Sequence, residues 1–215
     1  MVRYVKDNTG RFTERPHYEP AELDLEFEKV ICSYLKEKHG RVQFPIDTED
    51  LKNLIERDAC ELDCYSDLSE YGTDVEGATK FLLNKKPIVL ISQRLTEDAR
   101  YENRLRTTLT HEYGHVRLHS YLFNFNQTQQ FPQLECRDHF ICKRDNIVDA
   151  PRANWMEWQA GYVCGAILMP KSYVHKLINQ QTSNDCEEYI SLIVEQFKVS
   201  REAAKIRLLK LKILN

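Results

Sequence analysis

An α+β fold, mostly helical with a small β-hairpin or sheet and a helical C-terminal region, is what the sequence predicts. Three observations carry this. Apolar residues recur at helical spacing in most segments between breakers. One short, strongly apolar run, Pro87-Ile-Val-Leu-Ile91, reads instead as a strand. No apolar stretch approaches the ~18 residues of a membrane span. The 215 residues are 42% hydrophobic and 29% charged, a globular balance that can bury a core without disulfides. Seven cysteines, an odd number, and an N-terminus (Met1-Val-Arg-Tyr-Val-Lys-Asp) without a signal-type apolar stretch predict reduced thiols and a cytoplasmic location. Three segments are expected: an N-terminal arm and helix (1–44), a central domain (45–180) and a C-terminal helical hairpin (181–215).

Taken in order, a polar arm (1–18) precedes Pro20, which suits a first helical turn. Phe27, Val30, Ile31, Tyr34 and Leu35 then keep helical spacing until Gly40 stops the run. A short helix fits 48–57, with Thr48 as N-cap and Leu51, Leu54 and Ile55 on one face. Residues 78–82 and 87–92 form the hairpin around Asn84-Lys-Lys. Thr96 can cap a helical turn through Glu97 and Asp98, and a longer helix runs from about 101 to 119 with Leu105, Leu109 and Val116 inward. Residues 120–153 have no clear period, and so long a loop in a compact domain is often functional. The stretch 154–169 is a nearly uncharged helix, hence buried, ended by Pro170. Helices over 171–180, 186–197 and 201–212 follow, the last capped by Ser200.

The residues that carry chemistry are His111-Glu112-Tyr113-Gly114-His115. Two histidines four apart lie about 40° apart around a helix and ~6 Å along it, so both imidazoles can reach one zinc ion. Glu112 leaves the edge of that face, where it can act on a water beside the metal as general base. Gly114 would let another helix pack close behind. The best third ligand is Glu157, the one charged residue between Arg152 and Lys171; a carboxylate in such surroundings is costly unless paired or metal-bound. His119 competes, but it sits ~12 Å along the helix from His111, so one metal cannot take both unless the helix breaks. It reads as a group behind a ligand, on the substrate side, or simply on the surface.

These residues resemble the ImmA/IrrE family of metallo-endopeptidases. The similarity rests on Asn103-Arg-Leu-Arg-Thr-Thr-Leu-Thr-His-Glu-Tyr-Gly-His115 and on Glu157-Trp-Gln-Ala-Gly-Tyr-Val-Cys-Gly-Ala-Ile-Leu-Met-Pro170, and covers roughly 45–180. The second stretch is similar to the family's E-x-E-A-N-x-F-A-A-x-L-L-M-P block, with Gln159 in place of the second acid and Gly161 in place of the Asn. The resemblance implies a thermolysin-like zinc-peptidase domain with one catalytic Zn²⁺ on His111, His115 and Glu157, Glu112 as base, and a regulator that cuts or inactivates a helix-turn-helix repressor in mobile-element or stress-response circuits. Peptide hydrolysis also needs an oxyanion donor, for which Tyr71, Tyr113, Tyr121 and His119 are candidates.

Other constellations point elsewhere. Cys136, His139 and Cys142, with Cys60 and Cys64, could hold a second zinc, although the spacing matches no ordinary knuckle. Residues 49–76 carry ten acids against Lys52 and Arg57, a solvated face or a docking site for a basic protein. The last two helices, joined at Lys198-Val199-Ser200, have a helix-turn-helix pattern with Arg201, Lys205 and Arg207 on the second. Leu208, Leu209, Leu211, Ile213 and Leu214 favour a hairpin that packs on the rest of the chain over one that binds DNA. Besides a peptidase, the sequence allows a non-catalytic anti-repressor that sequesters its partner; an intact Glu112 favours the peptidase, since a pure binder has no use for a base.

Overall fold

The computed structural model describes residues 3–82, 85–126, 139–143, 154–182 and 185–214, with the backbone alone at 124–126 and 139–143. The chain is α+β and mostly helical. Helix α1 (Pro20–His39) starts at Pro20 behind a capping box of Glu19 and Glu22. It ends where Gly40 turns left-handed (φ 71°) and donates its N–H to the Lys36 carbonyl. Leu23, Phe27, Ile31, Tyr34 and Leu35 are its buried face. In α2 (Thr48–Asp58) the N-cap is Asp47, one residue before the expected Thr48, whose hydroxyl instead bonds Glu102.

Four strands form a mixed sheet in the order β3 (Glu61–Ser66), β5 (Ile88–Ser92), β4 (Val75–Lys80), β6 (His139–Lys143). The expected hairpin is β4–β5, in register Ala78 to Leu90 and Thr79 to Val89, although β4 begins at Val75 and ends at Lys80. Asn84 of the expected turn lies outside the described residues. The sequence reading missed β3, which is parallel to β5, because its run is short and two acids, Glu61 and Asp63, break its apolar pattern.

The polar arm also holds structure: β1 (Arg3–Lys6) and β2 (Glu14–His17) pair antiparallel. Buried Asp7 organises their connection by accepting from Thr9 N–H and hydroxyl, from Phe12 N–H and from Trp155 Nε1.

Helix α3 (Gln93–Glu97) follows β5, so Thr96 falls in its last turn and donates to the Cys64 carbonyl rather than capping. Helix α4 (Glu102–Asn126) continues unbroken well past 119. Helices α5 (Trp155–Leu168), α6 (Lys171–Ile178), α7 (Cys186–Phe197) and α8 (Arg201–Lys210) complete the chain, and Ser200 Oγ accepts from Ala203 N–H as an N-cap. One apolar cluster draws on all three expected segments, from Leu23 and Ile31 through Leu109 and Val163 to Phe197 and Leu208.

Two acids of the 49–76 stretch, Asp50 and Glu76, are buried, and a third, Asp58, pairs with a cation from another element. Glu76 is fully buried and takes Arg94 and Arg104. Asp50 takes Lys38 and His39, and Asp58 takes Arg117. The basic α8 is likewise not a free face. Arg207 is buried; its Nη2 donates to Asp24 at 2.7 Å and its Nε to the Met169 carbonyl at 3.0 Å. Tyr162 donates to the other Asp24 oxygen at 2.8 Å, and Arg201 pairs with Glu187. The C-terminal hairpin therefore packs on α1 and α5, with Leu208 and Leu214 in the core.

Removing one member of a buried ion pair strands the other charge. Asp24→Ala is expected to lower the unfolding free energy by about 3–5 kcal/mol in urea titrations. A loss below ~1 kcal/mol, the scale of an exposed pair, would show that Arg207 finds other compensation.

Candidate metal centre

The site is built where α4 crosses α5. Gly114 makes the crossing close: a Cβ there would lie 2.9 Å from Ala160 Cα and 3.3 Å from Ala160 Cβ. At that approach the first turn of α5 carries Glu157 onto the histidine face of α4. His111 Nε2 lies 3.0 Å from Glu157 Oε2 and 3.1 Å from His115 Nε2, and His115 Nε2 lies 3.4 Å from Glu157 Oε1. Ligands bonded tetrahedrally to one zinc stand ~3.3 Å apart. Three lone-pair atoms thus converge at the spacing a cation needs, and His111, His115 and Glu157 are the one group among the described residues able to hold a metal ion.

The electrostatics suit that role. All three residues are buried. Burial would push the Glu157 carboxyl up, but His115 and His111 beside it outweigh burial and hold it well below the ordinary carboxylate range. Its place in the first turn of α5 adds the favourable end of the helix dipole.

Glu112 is completely buried. Burial pushes its carboxyl upward, against the pull of His115, His111 and a hydrogen bond from Thr79. Thr79 Oγ1 donates to Glu112 Oε2 at 2.6 Å, while Oε1 has no hydrogen-bond partner among the described residues. Gly77, two residues earlier on the same face of β4, makes room for the Glu112 carboxylate: a Cβ there would come within 2.8 Å of Glu112 Oε1 and 2.7 Å of Thr108 Cγ2. Neither Thr79 nor Gly77 figured in the sequence reading. The available signal was a glycine inside a strand, which marks close approach of another element.

His119 lies behind His115 and is not a third ligand. Its Nδ1 is 3.0 Å from His115 Nδ1 and its Nε2 is 2.9 Å from Gln159 Oε1. Burial, then the neighbouring His115, holds its pKa well below that of a free imidazole. Two of the tyrosine candidates also lie on α4, Tyr113 on its far side and Tyr121 on its flank. Tyr113, roughly 200° around the helix from His111, donates to Asp58 at 2.8 Å. Tyr121, roughly 280° around, meets Tyr4 of β1. The Tyr113 hydroxyl is thus engaged by Asp58 and the Tyr121 hydroxyl by Tyr4. Tyr71 sits in a short 3₁₀ turn before β4, with Lys80 over its ring.

The second-zinc set does not assemble around Cys60 and Cys64. Cys64 is on edge strand β3 and residues 139–143 are the opposite edge, three strand spacings or ~14 Å away. Cys136 lies outside the described residues. No helix among the described residues is long and apolar enough to cross a membrane. No family model matches the chain, and no curated protein matches it in sequence.

Gly→Ala inside a helix ordinarily stabilises by up to ~1 kcal/mol. At Gly114 the added methyl meets α5 backbone, so Gly114→Ala is expected to destabilise by about 1–3 kcal/mol and to reduce bound metal. A variant that melts higher than wild type with full metal content would contradict the close crossing.

Proposed function

We propose that this chain is a zinc-dependent endopeptidase with a thermolysin-like site, which cleaves and thereby inactivates a helix-turn-helix repressor in the cytoplasm. The observation that carries the reading is the convergence of His111, His115 and Glu157 beside a buried carboxylate, Glu112, with one uncommitted oxygen. Two imidazole nitrogens and a carboxylate oxygen form the donor set of catalytic zinc sites that keep an open position. Zinc held there supplies Lewis acidity, lowering the pKa of a water toward ~7 and polarising the scissile carbonyl.

The chain's own groups do the rest. Thr79 fixes Glu112 through Oε2 and leaves Oε1 to take the proton of the attacking water. As the water oxygen bonds the carbonyl carbon, that proton moves to Oε1, then to the departing amine nitrogen as the C–N bond breaks. Desolvation suits this exchange, since a carboxyl raised toward neutrality both accepts and releases a proton readily. The repressor as substrate rests on the resemblance to the ImmA/IrrE family.

Metal analysis is expected to give about one zinc per chain, reduced sharply in Glu157→Ala. Full zinc in Glu157→Ala would remove that residue from the centre. Glu112→Gln, nearly isosteric, is expected to keep its zinc and its repressor binding while cleavage falls at least ~10²–10⁴-fold. The assay follows fragment mass and repressor–DNA binding with a helix-turn-helix repressor encoded beside this chain. If Glu112→Gln still strips the repressor from DNA without producing fragments, the protein acts by sequestration and the peptidase reading fails.

A further inference from the structure

A chain of hydrogen bonds runs from the N-terminal hairpin to the metal centre, and its polarity is fixed at one end. Gln159 Nε2 lies 3.1 Å from the Pro16 carbonyl of β2. A carbonyl only accepts, so the amide nitrogen of Gln159 must face Pro16 and its oxygen must face His119. Gln159 Oε1 is 2.9 Å from His119 Nε2, so that nitrogen carries a proton. His119 is fully buried between a neutral amide and another imidazole, with Trp155 edge-on to its ring. Such surroundings admit the neutral ring, which has one N–H. His119 Nδ1 is therefore an acceptor, and the group 3.0 Å away, His115 Nδ1, must be the donor. A neutral His115 protonated at Nδ1 has its lone pair on Nε2, the atom that converges with His111 and Glu157.

We infer that Gln159 and His119 are positioning residues, a relay anchored on the Pro16 carbonyl that locks His115 in the tautomer whose Nε2 is open to metal. This deepens the metal reading above and rests on it. Without the relay, His115 could place its proton on Nε2, and binding metal would first require moving it. An acceptor behind a ligating histidine typically changes metal affinity by 10–100-fold.

The test measures zinc affinity by competition with a chelator and reads histidine tautomers by ¹⁵N NMR of the metal-free protein. In wild type His115 should be protonated at Nδ1 and His119 at Nε2. The opposite tautomer at either ring overturns the relay whatever the variants do. Gln159→Leu and His119→Phe should each weaken zinc binding about 10–100-fold and give His115 a mixed tautomer signal. Gln159→Glu, nearly isosteric, cannot donate to the Pro16 carbonyl and places a carboxylate where the relay needs a neutral amide, so it too should disturb the His115 tautomer and weaken zinc binding about 10–100-fold, a response that bulk packing would not produce. Folded Gln159→Leu and His119→Phe with wild-type affinity and tautomers would refute the proposal. A wild type that binds no zinc would defeat the metal reading, while the tautomer spectrum would still decide the relay.

Discussion

Where α5 crosses α4 at Gly114, backbone meets backbone, and the separation set there decides what the centre can be. A Cβ on residue 114 would overlap Ala160 Cα, so a side chain at 114, or a larger one at 160, would lift the first turn of α5 away from the histidines. That lift would carry Glu157 with it. The ligand separations of 3.0–3.4 Å leave no slack, because a carboxylate displaced by an ångström loses both its imidazole partners and keeps its burial. Stranding a buried charge costs several kcal/mol. The crossing and the carboxylate therefore hold each other in place: the apolar surface of α5 draws the helices together, and the histidines make burial of Glu157 tolerable.

A second buried ion pair secures the other end of α5. Arg207 from α8 reaches the Met169 carbonyl just beyond the α5 C-terminus and the Asp24 carboxylate on α1, and Tyr162 of α5 shares Asp24. Gly165 again makes room, since a Cβ there would touch Arg207 Cδ at 3.3 Å. Helix α5 is thus fixed at its start by the histidines and near its end by a cation from the C-terminal hairpin. Arg106 of α4 adds a third tie, donating to the Phe197, Lys198 and Ile46 carbonyls. The C-terminal helices thus clamp α4 and α5, and Arg207 points inward because it supplies one of those ties.

What could be read from the sequence follows from the range of the interactions. The i,i+4 histidines and Glu112 are local, so helical geometry alone places them together. Glu157 was legible because a lone acid in an apolar helix needs a partner, even though that partner is 46 residues away. Gly114 was legible for a related reason, as a gap in an otherwise side-chain-covered face. Thr79, Gly77 and the anchoring of Gln159 on Pro16 were not, because each depends on which strand or hairpin arrives from elsewhere. Strand β3 escaped because its six residues carry two acids and only Leu62, Cys64 and Tyr65 as apolar positions, too short a run to set a period. His119 could be excluded as a third ligand from helical rise, but its partnership with His115 and Gln159 required the position of α5.

Charge summed along the chain misleads for the same reason. The segment 49–76 carries a large acidic excess in sequence, yet its cations come from other elements: Arg94 and Arg104 on α3 and α4 neutralise Glu76, Lys38 and His39 on α1 neutralise Asp50, and Arg117 on α4 meets Asp58. Glu76 shows why these pairs matter to the site. It is the residue before Gly77, where the pairing of β4 with β6 shifts register between Val75 and Gly77, and it meets Arg104 on α4, the helix that also carries Glu112. Arginines holding Glu76 therefore tie to α3 and α4 the strand that supplies Thr79. The acidity that reads as a surface property in composition is, at that position, part of what holds Glu112 in place beside His111 and His115.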